Sequence, residues 1–134
     1  ILFYSQRREW GQFSNFYPCK KLYLRDKHWP TTEHFFQAMK FEGTHHVDEI
    51  RKAESAGQAA KMGRSRQRPL RKDWEKVKLG VMLECVRAKF TQNPELKKLL
   101  LSTGEAKLVE HTRNDRYWGD GGDGTGKNKL GITL

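Results

Sequence analysis

The sequence is short of cysteine, acidic charge and long apolar runs, and each shortage closes a class of protein. Cys19 and Cys85 are the only cysteines in 134 residues, too few for a disulfide-stapled secreted scaffold or a multi-cysteine zinc site. The five histidines, His28, His34, His45, His46 and His111, show no HExxH or related ligand spacing, so no metal site is expected. No apolar run approaches the roughly 20 residues of a membrane-spanning helix. The opening ILFYSQRREWGQF lacks the basic head, apolar core and small-residue cleavage site of a signal peptide. A reduced, cytoplasmic protein is the expectation. Acidic residues number 16 against 26 Lys and Arg, for a formal charge of +10. Such a field draws phosphate-bearing partners without choosing among nucleic acid, nucleotide and an anionic surface.

What is present argues for one folded domain. Hydrophobic residues make up 36% and aromatics 11% of the chain, enough to bury a single core at this length. LFY at 2–4 reads as a short strand, and KKLYLRDKHW as a hairpin arm around Leu22 and Leu24. Pro30, Thr31 and Thr32 start a helix predicted to reach Phe41, with Gly43 as its stop. A second helical region covers 47–62, interrupted near Ser55 and Gly57 and closed by Gly63. From Asp73, a natural N-cap, Trp74, Val77, Val81, Cys85 and Ala88 recur at helical spacing to about Thr91. Pro94 opens a shorter helix stopped by Gly104, AKLVEHT reads as a strand, and a long glycine-rich loop follows. The fold class is α+β: a single helix-rich domain over residues 1–134 with a small β-sheet, monomeric, with no internal repeat and no dividing linker.

Three stretches carry candidate chemistry. On a helix, Glu33, Gln37 and Lys40 fall at i, i+4 and i+7 and share one narrow arc, with Phe36 close by. Spacing alone leaves two readings open, a face turned to water or the wall of a pocket. FSNF at 13–16 is either a turn anchored by two phenylalanines or a ring-stacking site. YWGDGGDGTGKN matches neither a Walker A nor an EF-hand spacing. Its glycines would let backbone N–H groups approach a ligand. The basic link GRSRQRPLRK is a solvated connection, a nucleic-acid patch or, at Arg71, a site for one phosphate.

Taken in order, GQFSNFYP, WPTTEHFFQAMKF, MGRSRQRPLRKDWEKVK, VRAKF and LVEHTRNDRYWGDGGDGTGKNKLG closely resemble the NADAR family, also called YbiA-like proteins. The resemblance runs through almost the whole chain, and it implies the YbiA-like fold and an N-glycosidase that uses no cofactor. Family members either hydrolyse ribosylamine intermediates of riboflavin biosynthesis or remove ADP-ribose from modified guanine in nucleic acid. The expected partner is therefore a ribosylaminopyrimidine phosphate or an ADP-ribosylated guanine nucleotide or nucleic acid. Both reactions cleave a C–N bond at an anomeric carbon, where the leaving nitrogen needs a proton and the ribose carbon a nearby carboxylate.

On this resemblance Glu33 is the acid/base or cation-stabilising residue. Lys40 is a possible Schiff-base nucleophile. Asp120 joins them as a third catalytic residue that orients hydroxyls or water. Trp118 stacks on base or ribose, with Gly119 beside it. Ser14, Asn15, Phe16 and Gln37 contact substrate, and Arg71 takes phosphate. Family members usually continue into a further C-terminal helix, so this chain is expected to be either trimmed there or naturally short. Two other readings stay open: a non-catalytic module binding ADP-ribose or NAD, and a basic nucleic-acid-binding domain.

Overall fold

In the computed structural model, which describes every residue from Ile1 to Leu134, the elements follow the order β1 (Leu2–Phe3), β2 (Tyr23–Leu24), β3 (Lys27–His28), α1 (Thr32–Met39), α2 (His46–Arg51), α3 (Ala56–Arg64), α4 (Trp74–Gln92), α5 (Pro94–Ser102), β4 (Val109–Glu110) and α6 (Lys129–Thr133). Six helices and two two-stranded sheets make an α+β fold. The chain forms two compact units. Pro18–Asn93 is one continuous segment, and the other unit joins Ile1–Tyr17 to Pro94–Leu134.

At the centre of the Pro18–Asn93 unit lies α1, which packs against α2, α3 and α4 and is buried along its whole length. Thr31 is its N-cap, and its hydroxyl accepts the His34 N–H at 3.1 Å. The same hydroxyl meets His34 Nδ1 at 2.7 Å, while His34 Nε2 lies 3.1 Å from the Ala53 carbonyl. A carbonyl only accepts, so Nε2 carries the proton and Thr31 donates to Nδ1. Burial pushes the His34 pKa down, against the weaker pull of that carbonyl.

The end of α1 comes at Met39, two residues short of the expected Phe41, and Arg71 explains where its last carbonyls go. The Arg71 N–H donates to the Lys40 carbonyl at 3.0 Å. Its guanidinium reaches the Met39 carbonyl at 3.3 Å, Glu42 at 3.1 Å, and both oxygens of Asp73 at 2.6 and 3.0 Å. Asp73 therefore stands at the N-cap position of α4 with its carboxylate spent on Arg71, and makes no side-chain cap.

Ser55 caps α3 by accepting the Gln58 N–H at 3.0 Å, so the interruption read from the sequence is real. Gly63, expected as a helix stop, sits instead inside α3. Along α4 the apolar stripe is buried at Trp74, Val81, Cys85 and Ala88. The hairpin pairs Tyr23 with His28 and Leu24 with Lys27. Its turn holds Arg25 and Asp26 at φ 54° and 64°, left-handed values that suit the twist of a two-residue hairpin turn. The free edge of β2 is closed by side chains. Gln92 accepts the Tyr23 N–H at 2.7 Å and donates to its carbonyl at 2.9 Å, and Asn93 does the same for Lys21 at 3.2 and 2.6 Å. Trp29 anchors the interior, donating its indole N–H to Leu24 and meeting Phe35 edge to face at 5.1 Å.

In the other unit β1 and β4 run parallel, Leu2 opposite Val109 and Phe3 opposite Glu110. Phe3 meets Phe13 edge to face, and Trp10 stacks on Phe13. The strand expected over AKLVEHT is cut to Val109–Glu110. On its far edge the Asn128 amide accepts the Glu110 N–H at 3.0 Å and donates to the Leu108 carbonyl at 2.9 Å, filling the place of a third strand. Past Asn128 the segment read as loop forms α6.

Two outcomes are expected. Neutral His34 gives a stability that is full above its unfolded pKa of about 6.5 and falls as pH drops below it, because the unfolded chain takes up a proton that the folded chain resists. Urea unfolding at pH 7.5 and 5.5 should show the loss, and His34→Gln should flatten it; equal slopes would refute the assignment. Arg71→Lys keeps the charge but loses the planar fork, and calorimetry should find the melting temperature lowered by several degrees.

Candidate active site

Burial decides between the two readings of the polar arc. Glu33 is 9% exposed, Gln37 6% and Lys40 9%, so the row does not face water. Charged groups are rarely buried this deeply unless paired, and here the pairing is specific. Gln37 Nε2 donates to Glu33 Oε1 at 2.8 Å. The amide's other end, Oε1, is buried without a partner. An unsatisfied acceptor costs about 1–3 kcal/mol, a penalty that in a native protein calls for an explanation, a catalytic role being one.

Lys40, just past the end of α1, places Nζ 5.9 Å from the ring centres of both Phe36 and Trp74. Those two rings meet edge to face at 5.0 Å. The ammonium thus sits in an aromatic corner that attracts a cation weakly and hydrates it poorly. Desolvation drops its pKa to about 8, although the Glu33 charge pulls it up, and Arg66, Arg64 and Lys78 push it down further. A lysine so placed has a substantial neutral fraction near pH 8 and is a competent nucleophile. The same causes identify a cationic rim of Arg64, Arg66 and Lys78 around the site. Arg66 is tied to the Gly63 carbonyl at 3.1 Å, and Lys78 to Glu75 at 2.6 Å.

Arg71, expected to take phosphate, lies at the end of α1 with its fork engaged by Asp73, Glu42 and the Met39 carbonyl.

Unit Ile1–Tyr17 with Pro94–Leu134 carries the remaining motif residues. Ser14 and Asn15 are buried and Phe16 half-buried; Ser14 Oγ accepts the Phe16 N–H at 3.1 Å, a local turn. In the glycine-rich segment Asp120 is 4% exposed. Its Oδ1 accepts N–H groups from Thr112 at 3.1 Å and Gly122 at 2.8 Å, and its Oδ2 lies 2.8 Å from His111 Nδ1. Burial would raise its pKa, but His111 and these N–H groups outweigh burial and hold it below the usual range. Asp120 is thus an ionised hub that folds the loop, with both carboxylate oxygens engaged. A Cβ on Gly119 would lie 2.8 Å from the Glu110 carbonyl oxygen, and one on Gly126 2.6 Å from that of Gly119, so only glycine fits where these backbones touch. Trp118 is half-buried, its N–H accepted by Asp115 at 2.8 Å, and its ring meets Tyr117 edge to face.

Sequence reading passed over several of these groups. Lys89 is 1% exposed, and desolvation lowers its pKa to about 8 against the opposing pull of Cys19 and Cys85. Burial pushes both thiols up, which makes them poor nucleophiles. His45, His46 and Glu49 bring ligand atoms within 4.8 Å of one another, a grouping that no familiar motif announces. Glu49 there binds His46 at 2.7 Å and Arg68 at 3.4 Å in an exposed ion-pair network.

Comparison with known proteins extends over the whole chain. The model of the NADAR domain matches residues 2–134. The N-glycosidase YbiA of Escherichia coli K12 is 55% identical over 100% of this chain and 83% of its own length. An N-glycosidase of Nostoc punctiforme is 39% identical over 100% of this chain and 87% of its own. A riboflavin biosynthesis protein of Vibrio vulnificus is 42% identical, but this chain spans only 36% of it. The NMR structure of E. coli YbiA superposes with a TM-score of 0.89 at 54% identity, covering 99% of this chain and 79% of that one. With the family model matched nearly end to end and relatives above half identity, the chain belongs to the NADAR family.

Proposed function

We propose that this chain hydrolyses an N-glycosyl bond at the anomeric carbon of a phosphorylated ribose. The observation that carries the reading is a buried carboxylate, Glu33, on α1 together with a buried amine, Lys40, just past its end, whose pKa is lowered to about 8 and which feels the Glu33 charge. Relatives named N-glycosidases support it.

Either of two routes uses these groups. In the first, the leaving nitrogen takes a proton as the C–N bond breaks, Glu33 stabilises the cationic ribose carbon, and water adds to that carbon and gives up a proton. In the second, the glycosylamine opens to an imine, neutral Lys40 adds to its carbon, and the amine departs with a proton. The resulting Schiff base is then hydrolysed to the aldehyde and free Lys40. Water is the only co-reactant and no electrons are exchanged.

Arg64, Arg66 and Lys78, whose charges bear on Lys40, are the cations proposed to meet the substrate's phosphate. Ser14, Asn15, Phe16, Trp118 and Gly119 are proposed as substrate contacts on the family motifs alone. Asp120 serves the reaction by holding the loop that carries Trp118.

Riboflavin biosynthesis proteins of Vibrio vulnificus and Zea mays among the relatives favour a ribosylaminopyrimidine phosphate as substrate. The net charge of +10 favours a second reading, ADP-ribose on guanine in a nucleotide or nucleic acid.

The test is turnover of both substrates by the wild type, Glu33→Gln and Lys40→Arg. Glu33→Gln is expected to abolish hydrolysis while ligand still binds; full turnover by this variant would remove Glu33 from catalysis. With neutral Lys40 as nucleophile, kcat should rise about tenfold from pH 7 to pH 9 as the amine loses its proton through about pH 8. Borohydride should then trap substrate on Lys40. A flat profile without trapping would leave the first route. Binding of ADP-ribose or NAD without turnover would make the protein a reader, and salt-sensitive nucleic-acid affinity indifferent to Glu33 would make it a nucleic-acid-binding domain.

A further inference from the structure

Gly63 lies in α3 with its Cα face against Gln37. A Cβ built there would stand 1.9 Å from Gln37 Oε1, 2.7 Å from Cδ and 2.9 Å from Gln37 Cβ. Real Cβ atoms do not approach so closely, so the Gln37 amide occupies the space of the missing side chain. The amide has two ends and only one is satisfied: Nε2 donates to Glu33 Oε1 at 2.8 Å, and Oε1 is sealed against α3 without a partner. Turning the amide over would set one acceptor against another at an ionised Glu33. The carboxylate therefore fixes the amide's orientation, and Gly63 gives the room in which that orientation is held.

Stability does not account for this arrangement. A leucine of similar size at position 37 would remove the orphaned Oε1, losing only the donor to Glu33 Oε1, and alanine at position 63 would favour helix by its intrinsic propensity. The other glycine in α3's first half behaves differently. A Cβ on Gly57 would meet nothing nearer than Ser55 Oγ at 3.8 Å. The close fit is confined to the glycine that faces the carboxylate's partner.

We infer that Gly63 is a positioning residue: its missing side chain lets the Gln37 amide lie where it holds the Glu33 carboxylate in one orientation. The inference rests on the catalytic reading of Glu33 for its effect on rate, but not for its geometry. Gly63 touches no reacting atom and acts through Gln37.

Steady-state kinetics on the substrate that the wild type turns over, together with NMR of the Gln37 side-chain amide, form the test. Gly63→Ala is expected to lower kcat about 10- to 100-fold with KM changed less than about twofold. Gln37→Leu, which keeps the packing and removes the hydrogen bond, should do the same while remaining folded. Gly63→Ala on a Gln37→Leu background should cost nothing further, since both act on one contact. Gly57→Ala should leave kcat unchanged. Additive losses, an effect on KM alone, or wild-type kcat in Gly63→Ala or Gln37→Leu would overturn the inference.

The NMR arm stands apart from turnover. The Gln37 amide resonances should shift in both Gly63→Ala and Glu33→Gln and stay put in Gly57→Ala. Unmoved resonances in Gly63→Ala overturn the inference even in an active enzyme. Shifted resonances in a protein inactive on every N-glycosyl substrate support the geometry and refute only the proposed activity.

Discussion

Keeping a carboxylate, an amide and an amine dry on one helix is the constraint that the Pro18–Asn93 unit is organised around. Desolvation penalises the charged forms of Glu33 and Lys40 and leaves Gln37 short of a partner. An ordinary amphipathic helix would turn these groups outward; α1 cannot, because α2, α3 and α4 pack around it. Its apolar positions, Phe35, Ala38 and Met39, supply the burial that offsets the polar row. Both ends are closed as well, by the Thr31 hydroxyl at one and by Arg71 at the other. The lowered pKa of Lys40 follows from this enclosure.

A different solution governs the glycine-rich segment. There the charge is concentrated in Asp120, which gathers two N–H groups and a histidine and so gives an irregular backbone the interior partners that helices find in themselves. Asn128 plays the corresponding part for β4. One unit thus keeps a carboxylate beside a neutralisable amine, whereas the other saturates its buried carboxylate with donors. Reactivity suits the first arrangement and rigidity the second.

Local signals were legible in the sequence where local chemistry decides the outcome. Thr31 and Ser55 cap helices as read, and the stripe from Trp74 to Ala88 faces the core. The row Glu33, Gln37 and Lys40 was visible as a row, but periodicity fixes direction around a helix axis and carries no information on depth. Spacing by itself therefore leans toward water, and the packing of α1 decides for burial. The partners of Arg71 are hidden for a related reason: a guanidinium near a helix start suits phosphate in isolation, and only the fold brings Asp73, Glu42 and the end of α1 to it. Gly63 read as punctuation because a stop and a contact use the same residue. The α+β class, the family and the order of motifs needed no tertiary knowledge, whereas the two-unit organisation did, since the pairing of β1 with β4 spans the chain.

That pairing bears on how the protein matures on the ribosome. Pro18–Asn93 is contiguous, and its contacts become available as soon as Asn93 has emerged. Leu2 and Phe3 find their strand partners only at Val109 and Glu110, more than a hundred residues later in the chain. With domains folding as units during synthesis at about 5–20 residues per second, the leading strand waits several seconds, exposed and unpaired, while the segment between is already folding. During synthesis β1 is therefore open to proteases and to chaperone capture for longer than β2 and β3, which pair with each other across a two-residue turn.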